Sequence, residues 1–275
     1  MRKLLVVFIP VAGLTLSLLA QEQAPAQKQA GERFSPKLAG EFTPRVSEEL
    51  ANGPVPRLPD GKPDLSGPWV GGGSNADIER DGGLKPGELP LLPAAKALRD
   101  SRHEKDEPYL WCTPMSVPRV NPYPWRFVHS YTSNGPGHIF VIHENGDAGG
   151  HRQIFMDGRK HPVDPLPTWW GHSIGWWEGD TLVIDTIGYN DKFWFDSLGT
   201  PHTEQLHTIE RWTRLNYGTL VNEFTLDDPG TFARPVTLKF TATALPPGEE
   251  LMEFICTENN QYGIADGITS PYAPK

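Results

Sequence analysis

From Trp125 onward, apolar and polar positions alternate in short runs, and most runs end at Gly, Pro, Asn or Asp. That period of two is the signature of half-buried strands, because successive side chains on a strand point to opposite faces. The pattern predicts strands over Arg126–Thr132, His138–Glu144, Arg152–Asp157, Ser173–Glu178, Thr181–Tyr189, Leu206–Leu215, Thr219–Leu226, Val236–Ala244 and Leu251–Glu258. Along Leu206–Leu215 the alternation sets His207, Ile209 and Arg211 on one face and Glu210, Trp212 and Arg214 on the other. Trp176 and Trp177 are adjacent, so at most one of them faces inward. Glu178-Gly179-Asp180 and Asn216-Tyr217-Gly218 read as tight turns between strands. Asp228-Pro229-Gly230 reads as a turn that ends its strand, with Arg234 beyond it set to meet a carboxylate. Only Ala94–Arg102 reads as helix.

Many short strands with short turns and almost no helix mean an all-β fold, an antiparallel barrel or sandwich. The Gly-x-Trp of PDLSGPWVGGG (63–73) is also how lipocalin-like barrels begin, so a lipocalin-like meander with long loops over one end is the expected architecture. The expected organisation is a signal peptide at 1–20, a flexible Pro-rich linker at 21–63, one β domain at 64–262 and a tail at 263–275. Gly158–Gly171 and Asn190–Glu204 are long irregular connections. They carry Trp169, Trp170, Phe193, Trp194 and Phe195, and long loops in a compact domain are often functional. The hairpin between Ser173–Glu178 and Thr181–Tyr189 should bring both loops to one mouth of the barrel, where together they would form the ligand site.

The first twenty residues change the picture. Met1-Arg2-Lys3 precedes an apolar run from Leu4 to Ala20 with no acidic residue, the form of an export signal cleaved after Ala20 or near Ala24-Pro25-Ala26. A single membrane anchor is the alternative; Pro10, Gly13 and the polar flank favour a removed signal and a periplasmic or secreted protein with no membrane contact afterwards. The net charge is −9, and losing Arg2 and Lys3 takes it to about −11. So acidic a chain argues against nucleic acid, whose binding depends on Lys and Arg at phosphates. Of the two cysteines, Cys112 and Cys256, export suggests a disulfide. Two separate buried thiols are the alternative.

Residues 151–214 hold six of the nine Trp and five of the nine His, among many carboxylates. Trp needs room and a partner for its N–H, and a His beside a carboxylate can take up and return a proton near neutral pH. His161, His172 and His202 are the candidate bases. Asp157 and Asp196 are their candidate acid or orienting partners. Trp169, Trp170, Trp194 and Arg159 are the candidate ligand contacts. Glu210, Arg211 and Arg214 are read as structural ion pairs on the barrel wall. Gly171-His172-Ser173-Ile174-Gly175 matches the G-x-S-x-G of serine hydrolases, but the chain runs on into a strand where an elbow needs a helix. His202, Glu204 and His207 could supply three metal ligands; their pattern is not that of a helical zinc site, and no metal or cofactor is expected.

Several segments resemble a family of exported proteins of soil and marine bacteria. They are PDGKPDLSGPW (59–69), WCTPMSVPR (111–119), RQIFMDGRKHPVDPLPTWWGHSIGWWEGDTLVIDTIGYNDKFWFDSLGTPH (152–202), ERWTR (210–214), DDPGTFARPVT (227–237) and LMEFICTENN (251–260). Met115-Ser116-Val117 departs from the pattern, where relatives tend to carry a Gly. The resemblance implies export and assigns no catalytic residue. The expected function is acid/base chemistry (a lyase, isomerase or hydrolase step) on a small carbohydrate-like or aromatic compound. The alternative is a non-catalytic periplasmic protein that binds such a ligand.

Overall fold

The computed structural model describes residues 45–133, 135–145 and 151–256. The segments expected as signal peptide and tail, and most of the expected linker, lie outside the described residues. Nine strands form a closed barrel in chain order: β1 (Trp69–Gly71), β2 (Trp125–Thr132), β3 (Gly135–His143), β4 (His151–Phe155), β5 (His172–Glu178), β6 (Thr181–Ile187), β7 (His207–Arg214), β8 (Thr219–Asp227) and β9 (Val236–Ala244). The barrel closes where Trp69, Val70 and Gly71 of β1 pair antiparallel with Ala244, Thr243 and Ala242 of β9. Closure leaves no unpaired edge to template aggregation. The all-β expectation is met, and eight of the nine expected strands lie within two or three residues of where the alternation puts them.

Over the described part of its range the ninth does not form. Residues 251–256 carry no strand, because β9 already pairs with β8 on one side and β1 on the other. The segment is held instead by the Cys112–Cys256 disulfide, whose Cα atoms are 5.4 Å apart, and by the Met252 amide donating to Glu144 at 3.0 Å. Its place in the sheet goes to β1, three residues long. Gly73, just after β1, is there because a Cβ would lie 1.9 Å from the Pro118 carbonyl oxygen.

The meander is broken once. β4 and β5 pair in parallel, Ile154 with Ser173 and Phe155 with Ile174; every other pair is antiparallel. A parallel pair needs a connection that travels the length of the sheet. Residues 156–171 do so along the outer wall, kept irregular by Pro162, Pro165 and Pro167. They are stitched to the end of β6 by Thr168 donating to the Gly188 carbonyl at 3.0 Å and Asn190 donating to that of Thr168 at 2.8 Å.

Inward residues fill the barrel. Trp69, Trp125, Phe127, Ile139, Leu182, Ile184, Trp212 and Leu220 form its lower core, with the Trp125 and Trp212 rings 5.1 Å apart. Within this packing a void of only about 10 Å³ remains beside Arg152 and Glu210, room for about one water. Trp177 faces in against this core, whereas Trp176 is exposed. At the other end Phe193, Phe195, Leu206, Phe224 and Phe232 form an upper core with Met115, Val117 and Val120 of the long β1–β2 connection. That connection holds the helices α2 (Ile78–Asp81) and α3 (Pro93–Ser101); Pro93 opens α3 at a position where its missing N–H is no loss.

Residues 45–63, expected as linker, are instead docked on the barrel. Helix α1 (Glu48–Ala51) is capped by Ser47, Tyr217 and Gly218 amides donate to the Gly53 and Ala51 carbonyls, and Arg57 forms a bidentate pair with Asp180 at 2.8 and 2.6 Å. Prolines exclude regular structure here but do not prevent docking, since backbone groups freed from helix or sheet find partners on the barrel. The Asp228 turn forms as expected: its carboxylate accepts from Thr203 and Gly230. Among the described residues Arg234 meets no carboxylate; it is exposed and donates to the Pro235 carbonyl at 3.4 Å.

Candidate functional site

The crossover lays His161 over the outer faces of β5, β6 and β7. On those strands His172, Asp185 and His207 occupy outward positions, alternating with buried Ser173, Thr186 and Thr208. The result is a linked chain of four side chains. His172 Nδ1 lies 2.8 Å from His161 Nδ1, His161 Nε2 lies 3.1 Å from Asp185 Oδ1, and His207 Nε2 lies 2.8 Å from the same oxygen. Phe155 stacks on His172 at 5.1 Å. Arg159 lies 3.8 Å from the centre of the Phe155 ring while it grips Asp157.

The hydrogen bonds assign the tautomers. An ionised Asp185 only accepts, so His161 and His207 each donate from Nε2. His161 Nδ1 is then an acceptor, and His172 must donate to it from Nδ1, which leaves the lone pair of His172 on Nε2. Asp185 thereby orients His161, and His161 orients His172. The surroundings drive the two outer histidines apart. Burial lowers the pKa of His172, helped by His161 and the Arg159 charge. The hydrogen bond to Asp185 raises that of His207 against the opposing effect of burial. Burial alone would push Asp185 up, but the His207 hydrogen bond and charge, joined by His161, hold it below the usual range. One imidazole inclined to be neutral and one inclined to be charged, joined through a carboxylate, is the pattern that divides base and acid roles.

The structure splits the residues expected to share one pocket. His161, His172, Arg159 and Asp157 come together on the outer wall. Asp157 pairs with Arg159 and reaches none of the histidines by hydrogen bond; the Arg159 contact holds its pKa at about 2, too low for a proton donor near neutral pH. Asp185 and His207 complete the set in its place.

His202, Asp196 and Trp194 belong to the upper core. His202 is 5% exposed and packed against Phe193 and Phe195, with ring centroids 3.9 and 5.0 Å away. Burial pushes its pKa down to about 4. Asp196 accepts from the amides of Ile78, Leu198 and Thr200 and from the Thr200 hydroxyl, which ties the 190–204 loop to α2. Trp194 is buried beneath the Arg102 guanidinium. Trp169 and Trp170 pack on the same core, Trp170 stacked on His143 at 5.4 Å. The 190–204 loop thus covers one end of the barrel, and only the last residues of 158–171 arrive there.

Ser173, the candidate of the G-x-S-x-G match, is buried in the wall and takes a hydrogen bond from Arg152. Arg152 also reaches Glu210 at 2.5 Å and Thr186 at 2.6 Å, a network shielded from solvent. Glu210 is therefore an internal ion-pair partner, Arg211 an external one to Glu178 at 2.7 Å, and Arg214 no ion-pair member among the described residues. His202 and His207 do not converge on a metal site, and among the described residues no group of three or more His, Cys, Asp or Glu is placed to hold a metal ion. Among those residues no helix is long and apolar enough to cross a membrane. No family model, curated protein or solved structure matches the chain.

Asp185 was legible in principle, as the lone charge in the strand Thr181-Leu182-Val183-Ile184-Asp185-Thr186-Ile187. A carboxylate within a β-branched run has to earn its place through a partner, and here it has two.

Proposed function

We propose that this is an exported β-barrel enzyme, periplasmic or secreted, that performs acid/base chemistry on a small carbohydrate-like or aromatic compound at the His172–His161–Asp185–His207 chain. The observation that carries the reading is the hydrogen-bonded chain of three histidines and one carboxylate, His161 and His207 on Asp185 and His172 on His161, with the end histidines shifted in opposite directions. His172, through Nε2, takes a proton; His207, charged at lower pH, returns one or steadies a developing anion. Asp185 and His161 hold the pair in register. Phe155 and Arg159, stacked beside His172, offer an apolar ring edge and a cation to a ring with polar substituents. The disulfide supports the location in an oxidising compartment.

Turnover of plant-derived glycosides and phenolics by the purified protein tests the proposal. A general acid or base contributes about 10²–10⁴-fold, so His172→Ala and Asp185→Asn should each cost at least about 100-fold in kcat. A second reading, binding without catalysis, draws support from the open position of the cluster on the outer wall, with His207 35% exposed. Saturable binding of a panel compound without turnover would select it. Turnover unaffected by both substitutions would remove the cluster from either role.

A further inference from the structure

We propose a second, separate site: a pocket at the opposite end of the barrel that takes a small organic carboxylate between Arg126 and Arg214. The pocket has a volume of about 390 Å³ and lies between the start of β2, the end of β9, the β7–β8 turn and residues 247–250. This is the lower range of small-molecule sites.

The argument is one of uncompensated charge. Arg57, Arg80, Arg99, Arg119, Arg152, Arg159 and Arg211 each lie within 4 Å of a carboxylate. Arg126 and Arg214, which line the same pocket, form no such pair among the described residues. Arg214 is 8% exposed. It donates to the backbone oxygens of Asp64, Asn216 and Tyr217, and its guanidinium lies 4.7 Å over the Trp69 ring. Carbonyls and a ring face fix the fork; burial lowers its pKa, and the Asp64 charge nearby offsets only part of that. Among the described residues the buried Nε of Arg126 has no partner, and the side chain donates to the Glu249 carbonyl at 3.4 Å. A buried cation with no carboxylate in contact is costly, and a bound anion offsets that cost.

The shape of the donors selects the anion. The Arg126 guanidinium presents N–H groups that match a carboxylate, and Arg214, whose three nitrogens already donate to backbone oxygens, adds its charge. The remaining wall includes Pro68, Ala244, Leu245 and Tyr217, suited to the body of a ring. Glu249 and Glu250 also line the pocket, and exposed Glu250 repels incoming negative charge. A single carboxylate on a neutral body is therefore preferred over a dianion such as phosphate. This site does not rest on the acid/base reading.

Calorimetric titration with benzoate and glucuronate, against their neutral counterparts benzyl alcohol and glucose and against inorganic phosphate, tests it. At least one carboxylate should bind saturably, roughly tenfold or more tighter than its neutral counterpart and tighter than phosphate. Arg126→Gln should weaken that binding about tenfold, the loss of one charged hydrogen-bonding partner. Glu250→Gln should strengthen it a few-fold by removing repulsion. Thermal melts confirm that both variants fold; should Arg126→Gln not fold, Glu250→Gln still decides. Failure of both carboxylates to bind, equal binding of the neutral compounds, tighter phosphate binding, or no response to either substitution would each overturn the proposal.

Discussion

Replacing Arg152 by Met should destabilise the protein by about 3–5 kcal/mol, the usual cost of orphaning one member of a buried pair. Arg152 and Glu210 have side chains only 2% and 1% exposed. Two unit charges about 4 Å apart attract by roughly 4 kcal/mol at an effective dielectric of about 20, so the pair is of the right size to matter. Burial works against the Arg152 charge, and the neighbouring Glu210 more than restores it, so its pKa stands above the usual value. In Arg152→Met the Glu210 carboxylate keeps only the Trp212 indole N–H, at 3.0 Å, and sits in the barrel without a counterion. Ser173 and Thr186 lose a donor but still bond each other at 2.9 Å. The double variant Arg152→Met/Glu210→Leu removes both charges and should recover most of the loss, because well-packed apolar side chains often match a buried pair. Denaturant unfolding at pH 7 measures all three proteins, with an unchanged slope showing that the unfolded state is the same. A single variant within about 1 kcal/mol of the parent, or a double variant no better than the single, would refute the reasoning.

Four further outcomes are expected. Asp185→Asn should bring the His207 pKa down toward its ordinary value in an NMR titration. Because the folded pKa of His207 is raised, its contribution to stability is present below the unfolded value of 6.5 and lost as pH rises through the folded one; the histidine part of the deficit should therefore be larger at pH 6 than at pH 8. His202 and His143 are buried with pKa values lowered to about 4 and about 3. The unfolded chain thus binds protons that the folded chain refuses, and stability should fall between pH 6.5 and 4 by up to about 1.4 kcal/mol per pH unit for each histidine; a flat pH profile over that window would show one or both to be solvated. Cys112→Ser/Cys256→Ser should cost up to about 5 kcal/mol on the chain-entropy model for a loop of this length, read as a large drop in melting temperature. His202→Ala should cost more than about 2 kcal/mol, the behaviour of a packed core ring.

The alternation of residues by itself determined the all-β class and eight of the strands, because a period of two is a local property set by which side chains face the core. It placed Glu210, Trp212 and Arg214 together on one face of β7, which the barrel turns inward, and export context joined Cys112 to Cys256. It also singled out His161, His172, Asp157 and Arg159, which do lie together. Tertiary structure decided the rest. Which carboxylate serves the histidines depends on strand order: Asp157 is closer in sequence to His161, but Asp185 is brought beside it by the β5–β6 pairing. The parallel β4–β5 pair is invisible locally, since a strand carries no mark of its neighbour's direction, and that pair alone sends residues 156–171 along the outer wall and not over the mouth. His202, Asp196 and Trp194 read like site residues because polar and aromatic side chains in a loop suggest a ligand. They are core because the long β1–β2 connection packs over them, and burial by a segment more than seventy residues away is beyond the reach of any local pattern.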